Sequence, residues 1–187
     1  MIRRLILFIV SLAIAVPSSY AAFQTAASDK GGSDASTAPK VLTAAETAKI
    51  LPDAVFFRGQ SAAVQGRNSG GVRFSKDALF LVTLVDTSGY SSSVQEKYQA
   101  YLITEAPINI QGHRLEPGVY GCGFIANETF LVMDIGAHDL FTVHYAKDES
   151  LRRPTPLQVL PSPTGGGYRL YVGRNYVTVE LAASQKN

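Results

Sequence analysis

The chain has 187 residues, with 17 Lys+Arg against 15 Asp+Glu, 46% hydrophobic residues and a single cysteine. That length suffices for one domain with a sizeable core. The near balance of charge excludes a broad basic field for nucleic acid or anionic lipid, and one cysteine excludes an internal disulfide.

Residues 1–21 read as a secretory signal peptide. Arg3 and Arg4 form a positive start, Leu5 to Val16 an apolar stretch too short to span a bilayer, and Ser19 and Ala21 supply small residues before the cut. Cleavage after Ala21 fits, and cleavage after Ala22 fits almost as well. No cysteine follows for a lipid anchor. The two leader arginines account for the whole excess of base, so the mature chain is neutral. The expectation is an exported protein of the periplasm or extracellular medium, without a membrane span in its mature chain. Residues 22–41 are rich in Ala, Ser, Thr, Gly and Asp. They have too little apolar surface to offset the entropy of ordering, and read as a disordered tether.

A single β-domain is expected over residues 42–187. Thr43-Ala44-Ala45-Glu46 matches a capping box and predicts a helix from Ala44 to Leu51, stopped at Pro52. Strands are predicted at Ala54–Phe57, Ser61–Arg67 and Val72–Ser75, with Asn68-Ser69-Gly70-Gly71 as the turn between the last two. Ala78 to Val85 is apolar on both faces, which suits a central strand covered on both sides. Asp86 to Ser93 is a polar loop, Val94 to Tyr98 a helical turn, and Gln99 to Glu105 a strand with Tyr101 and Ile103 on one face.

The central stretch is Ile108 to Ile135. Val119 to Ile125 reads as a strand, Ala126-Asn127-Glu128 as a turn, and Thr129 to Ile135 as the returning strand. Alternation places Tyr120, Cys122 and Phe124 on one face, and Val119, Gly121, Gly123 and Ile125 on the other. The glycine face is nearly bare, and glycine inside a strand often marks a close approach by a backbone or a ligand. Further strands are expected at Leu140–Ala146, Leu157–Leu160, Tyr168–Val172 and Tyr176–Leu181, with Ala182–Asn187 as a polar tail. About ten short strands and one short N-terminal helix argue an all-β fold, an antiparallel β-sandwich or barrel.

Gly112, Leu115, Pro117, Gly118 and Tyr120 form the pattern G-x-x-L-x-P-G-x-Y. This turn-strand unit resembles one in uncharacterised exported bacterial β-proteins. The resemblance implies an exported all-β domain and carries no activity.

No catalytic or metal-binding constellation stands out, and no cofactor is implied. Asp86-Thr87-Ser88-Gly89 differs from the D-T-G turn of aspartic proteases, because Ser88 intervenes. The histidines, His113, His138 and His144, lack metal-ligand spacing. Cys122 reads as a small buried residue beside Tyr120 and Phe124. Tyr90, Tyr168, Tyr171 and Tyr176 are candidates for a stacking surface. The residues put forward for ligand binding are Asp86, Tyr90, Gly121, Gly123 and His138. The expected function is a non-enzymatic domain that binds an envelope component or a small ligand. The alternatives are a small exported hydrolase built on Asp86, Asp134, His138 and Asp139, or a structural or assembly protein.

Overall fold

A computed structural model describes residues 38–183. The expected signal peptide, most of the expected tether and the last four residues of the tail lie outside the described residues.

The elements in chain order are β1 (Lys40–Leu42), α1 (Ala44–Ala48), β2 (Ala54–Phe57), β3 (Gln60–Ser75), β4 (Ala78–Val85), α2 (Ser92–Gln95), β5 (Ala100–Thr104), β6 (Ile108–Ile110) and β7 (His113–Leu115). They continue with β8 (Gly118–Ile125), β9 (Thr129–Met133), β10 (Asp139–His144), β11 (Ala146–Lys147), β12 (Gln158–Pro161), β13 (Tyr168–Val172) and β14 (Asn175–Leu181). All pairings are antiparallel. One sheet runs β1-β3-β4-β5-β8-β9-β10, with β2 attached to β3. The other runs β12-β13-β14-β6-β7, with β11 attached to β14. The expected all-β fold is thus observed, in its sandwich form rather than as a barrel, with more strands than the expected ten.

The main core lies between the sheets. Phe80, Val82, Leu102, Cys122, Phe130 and Val132 of the first sheet meet Ile108, Ile110, Val159, Leu170, Val177 and Val179 of the second. The predicted alternation of β8 holds: Tyr120, Cys122 and Phe124 all face this core. Burial of such side chains contributes about 1.5–3 kcal/mol each, the main driving force for the sandwich.

The outer face of the first sheet is covered as well. Phe57 and Val55 of β2, with Tyr90, Val94 and Tyr98 from the segment between β4 and β5, pack on Tyr101, Leu131 and Met133. Leu42 and Leu51 cover Leu79 and Leu81 beside them. This second cover explains why β4 is apolar on both faces. The capping box at α1 is present, with Thr43 Oγ1 accepting the Glu46 N–H and Glu46 reaching back to the Thr43 N–H. The helix is shorter than predicted and stops at Ala48; it is held by its cap and by packing on β3 and β1.

Two expectations are corrected. The tether does not extend to residue 41: Lys40 and Val41 pair with Arg73 and Val72, so the sheet starts before residue 42. Asn68-Ser69-Gly70-Gly71 is not a turn. β3 runs through it as one strand, with a register shift against β4 between Val64 and Ser69. The glycines serve packing here. A side chain at Gly71 would collide with the backbone carbonyl of Phe80, and one at Gly70 would press on the Val159 amide of the opposite sheet.

Candidate functional site

Most of the residues put forward from the sequence are structural. The face that carries Gly121 and Gly123 is not open. A Cβ at Gly121 would enter the ring of Phe57 and one at Gly123 would enter the carbonyl of Lys97, so the chain itself makes the close approach. Tyr90 is buried, and its hydroxyl donates to the carbonyls of Phe57 at 3.0 Å and Gln60 at 3.2 Å. Asp86 closes its own turn: its Oδ1 accepts the Ser88 N–H at 2.9 Å, which lowers its pKa. Tyr171 is buried and Tyr168 packs against the main core, so the four tyrosines do not form an exposed platform.

His138 is different. It ends the loop from β9 to β10, which Asp134 organises. Asp134 Oδ1 accepts the N–H groups of Gly136 at 2.8 Å and His138 at 3.0 Å, and Oδ2 lies 2.9 Å from His138 Nδ1. These bonds, those from the His138 backbone and ring first, hold the Asp134 carboxyl below its ordinary pKa. The tight loop forces Ala137 into the left-handed region, at φ 67°. Next in the chain, Asp139 accepts a hydrogen bond from Lys97 Nζ at 2.7 Å.

The hairpin turn between β2 and β3 packs on this loop, as the Arg58 N–H donates to the Ile135 carbonyl at 2.7 Å. Phe57 pairs with Gln60, which leaves Arg58 and Gly59 as a two-residue turn. Both have positive φ, 46° and 77°. A turn of this type favours Asn or Gly first, and arginine is a costly choice there. Arg58 and Ala137 wall one cavity of about 160 Å³, together with Ser93, Val94, Lys97 and Met133. Strained residues often gather where function demands them.

Three large apolar residues on the elements that meet here are exposed. Phe56 is 60% exposed, Ile135 47% and Leu140 48%. Single exposed apolar residues are ordinary, whereas several around one concavity mark an interaction surface. Lys97 is neutralised by Asp139, and His138 leans on Asp134. The Arg58 guanidinium has neither a hydrogen bond nor an ion pair among the described residues. Arg58 and Lys97 are matched in number by Asp134 and Asp139, and His138 adds a charge only when protonated, so the corner carries polar groups of both signs.

For hydrolysis the arrangement is incomplete. Asp134 and His138 form a carboxylate–imidazole pair, but among the described residues no hydroxyl or thiol lies at hydrogen-bond distance from the His138 ring. Asp139 turns to Lys97 and Asp86 to its own loop, so the four acid and base candidates do not converge. Among the described residues no three His, Cys, Asp or Glu side chains are grouped to hold a metal ion.

A larger, shallow groove of about 760 Å³ runs beside β1, β12 and β13, lined by Phe74, Pro161, Tyr168 and the Gly165–Gly167 turn. Its one charged lining residue, Lys40, is already paired with Glu46 at 2.6 Å. The sequence reading missed Phe56, Arg58, Lys97, Ile135 and Leu140. A signal was present: Phe56-Phe57 puts bulky apolar rings on both faces of a short strand, and Arg58-Gly59 follows. No helix among the described residues is long and apolar enough to cross a membrane. No protein-family model matches the chain, and neither does a curated protein or a solved structure.

Proposed function

We propose that this protein is an exported, non-enzymatic β-sandwich that binds an envelope partner through the corner formed by the β2–β3 turn and the β9–β10 loop. The observation that carries this reading is a cavity walled by two strained residues, Arg58 and Ala137, with Phe56, Ile135 and Leu140 exposed on the strands and loop that meet there. Export is supported by Arg3–Arg4, the apolar run Leu5–Val16 and the small residues Ser19 and Ala21.

A photo-crosslinking amino acid placed at position 56, and separately at the exposed Glu180 on β14, tests the reading in cells that express the protein. A discrete adduct from position 56 that position 180 does not form supports it. No adduct from position 56, or the same adducts from both sites, refutes it.

A further inference from the structure

We infer that the open edge of β10 is the interface of a homodimer. Two copies of this chain join their β10 strands antiparallel about a two-fold axis at Thr142, so that their first sheets become one continuous sheet. This interface is separate from the corner described above and does not rest on it.

A strand at a sheet edge carries unpaired N–H and C=O groups, and proteins blunt such edges with short strands, proline, lysine or a covering element. Most edges here are blunted. β1 and β7 have three residues each, with Lys40 on β1 and Pro117 just after β7. β12 ends in Pro161, and its Val159 amide lies close to Gly70 of β3. On β2, the Phe57 carbonyl is taken by the Tyr90 hydroxyl. β10 differs. It has six residues and no proline, lysine or arginine, and Asp139, Leu140, Thr142 and His144 are exposed. The register shifts between Asp139 and Phe141, and the pairing is regular from Phe141 to His144.

The bonds around β10 show which of its groups are free. The Tyr145 N–H donates to the Glu128 carbonyl at 2.9 Å, just outside the pair His144–Thr129. A bond in that place marks His144–Thr129 as a pair that exchanges no bonds of its own. His144 therefore turns its N–H and C=O to the open edge, and Thr142, two residues back, does the same. Gln111 Nε2 occupies the His144 carbonyl at 3.3 Å. Neither backbone group of Thr142 has a partner among the described residues.

These groups select both the axis and the occupant. When a two-fold axis continues an antiparallel sheet, one residue lies opposite its own copy. At Thr142 each N–H donates to the other copy's carbonyl. An axis at Val143 would need the His144 carbonyl, which Gln111 holds, and an axis at Phe141 would need Leu140, where the register shifts. With the axis at Thr142, Phe141 falls opposite the Val143 of the second copy. Both side chains pack on the main core, so the pair extends that core across the axis. An aromatic ring opposite a β-branched side chain, and threonine opposite threonine, are favourable cross-strand pairs. Leu140 falls opposite His144 and Asp139 opposite Tyr145, so no like charges meet. A strand of unrelated sequence would gain the backbone bonds without this matched set of side chains.

The test uses the purified mature protein, with light scattering after gel filtration to read its mass over a range of concentrations. The expected mass is that of two chains. Thr142→Pro removes the outward N–H and no bond between β9 and β10, and proline is tolerated on an edge whose N–H faces out. It should weaken association about tenfold or more while leaving the circular dichroism spectrum unchanged. Thr142→Lys keeps the backbone intact and sets two ammonium groups opposite each other, so it should also give single chains even if the proline variant misfolds. Thr142→Cys should form a disulfide-linked dimer on mild oxidation, because opposed residues of such a pair lie about 5.5 Å apart. Glu180→Cys, exposed on β14, should not. A single-chain mass at every concentration overturns the proposal and leaves a strand of a different protein as the occupant of this edge. A dimer that persists in Thr142→Lys, or equal crosslinking from positions 142 and 180, overturns it too.

Discussion

The rings of Phe57 and Tyr98 are stacked, with centroids 3.8 Å apart and planes inclined by 16°. Phe57 comes from β2 and Tyr98 from the segment after α2, and together they cover Gly121 of β8. This stack sets the first expected outcome. Gly121→Val and Gly123→Val should both destabilise by more than their better strand propensity returns, with overpacking costing about 1–3 kcal/mol. Gly123→Val should be the worse, because its obstacle is a backbone carbonyl rather than a ring that can tilt. Cys122→Ala, on the opposite face, loses one small buried group and should cost about 1 kcal/mol. Urea denaturation of the three variants checks the order. A neutral Gly121→Val would contradict the cover described here.

Tyr98 and Tyr90 lie in the same cluster with ring centroids 5.5 Å apart, but their hydroxyls differ. The Tyr90 hydroxyl donates to two carbonyls, whereas the buried Tyr98 hydroxyl has no partner among the described residues. A buried polar group without a partner costs about 1–3 kcal/mol. Tyr98→Phe should therefore be neutral or stabilising, and Tyr90→Phe should destabilise by about 1 kcal/mol. Thermal melts of the two variants decide the point, and a loss on Tyr98→Phe as large as that on Tyr90→Phe would show a hidden partner.

Cys122 is 1% exposed, and burial pushes its thiol up to about 12. The thiolate is the reactive form. In the folded protein, Cys122 should resist alkylation by iodoacetamide at neutral pH and react quickly once urea unfolds the chain. Mass spectrometry of the modified fraction measures this, and fast labelling without denaturant would contradict the burial.

The capping box carries a pH dependence. The Lys40 ammonium, followed by the Thr43 N–H and hydroxyl, lowers the Glu46 carboxyl from 4.5 to about 2. A carboxyl lowered on folding adds stability that is fully present above 4.5 and is lost as pH falls towards about 2. The melting temperatures of the parent and Glu46→Gln should differ at neutral pH and converge across that acid window. A constant difference across it would show that the capping carboxylate is not the cause.

Much of the strand pattern was legible because alternation is a local property. Residues 54–57 and 168–172 were placed at their observed bounds, and Tyr120, Cys122 and Phe124 on their observed face. The capping box was legible for the same reason: its partners stand three residues apart, within reach of one helical turn. The long strand β3 was not legible. Asn68-Ser69-Gly70-Gly71 carries the local chemistry of a turn, and only the close approach of Val159 and Phe80 explains why glycines sit inside a strand there.

The candidate site shows the same division. The sequence by itself determined that the chain is apolar enough for one packed domain, that its strands alternate, and that Gly121 and Gly123 leave one face of β8 nearly bare. Only the tertiary structure decided what approaches. β2 folds over β8 and fills the glycine face with Phe57, because buried area is gained from contacts far apart in the chain. The same fold leaves Phe56 on the outside, since neighbouring residues of a strand point to opposite faces. It also sets the Arg58 turn against Ile135, a contact across more than half the described chain that no local spacing encodes.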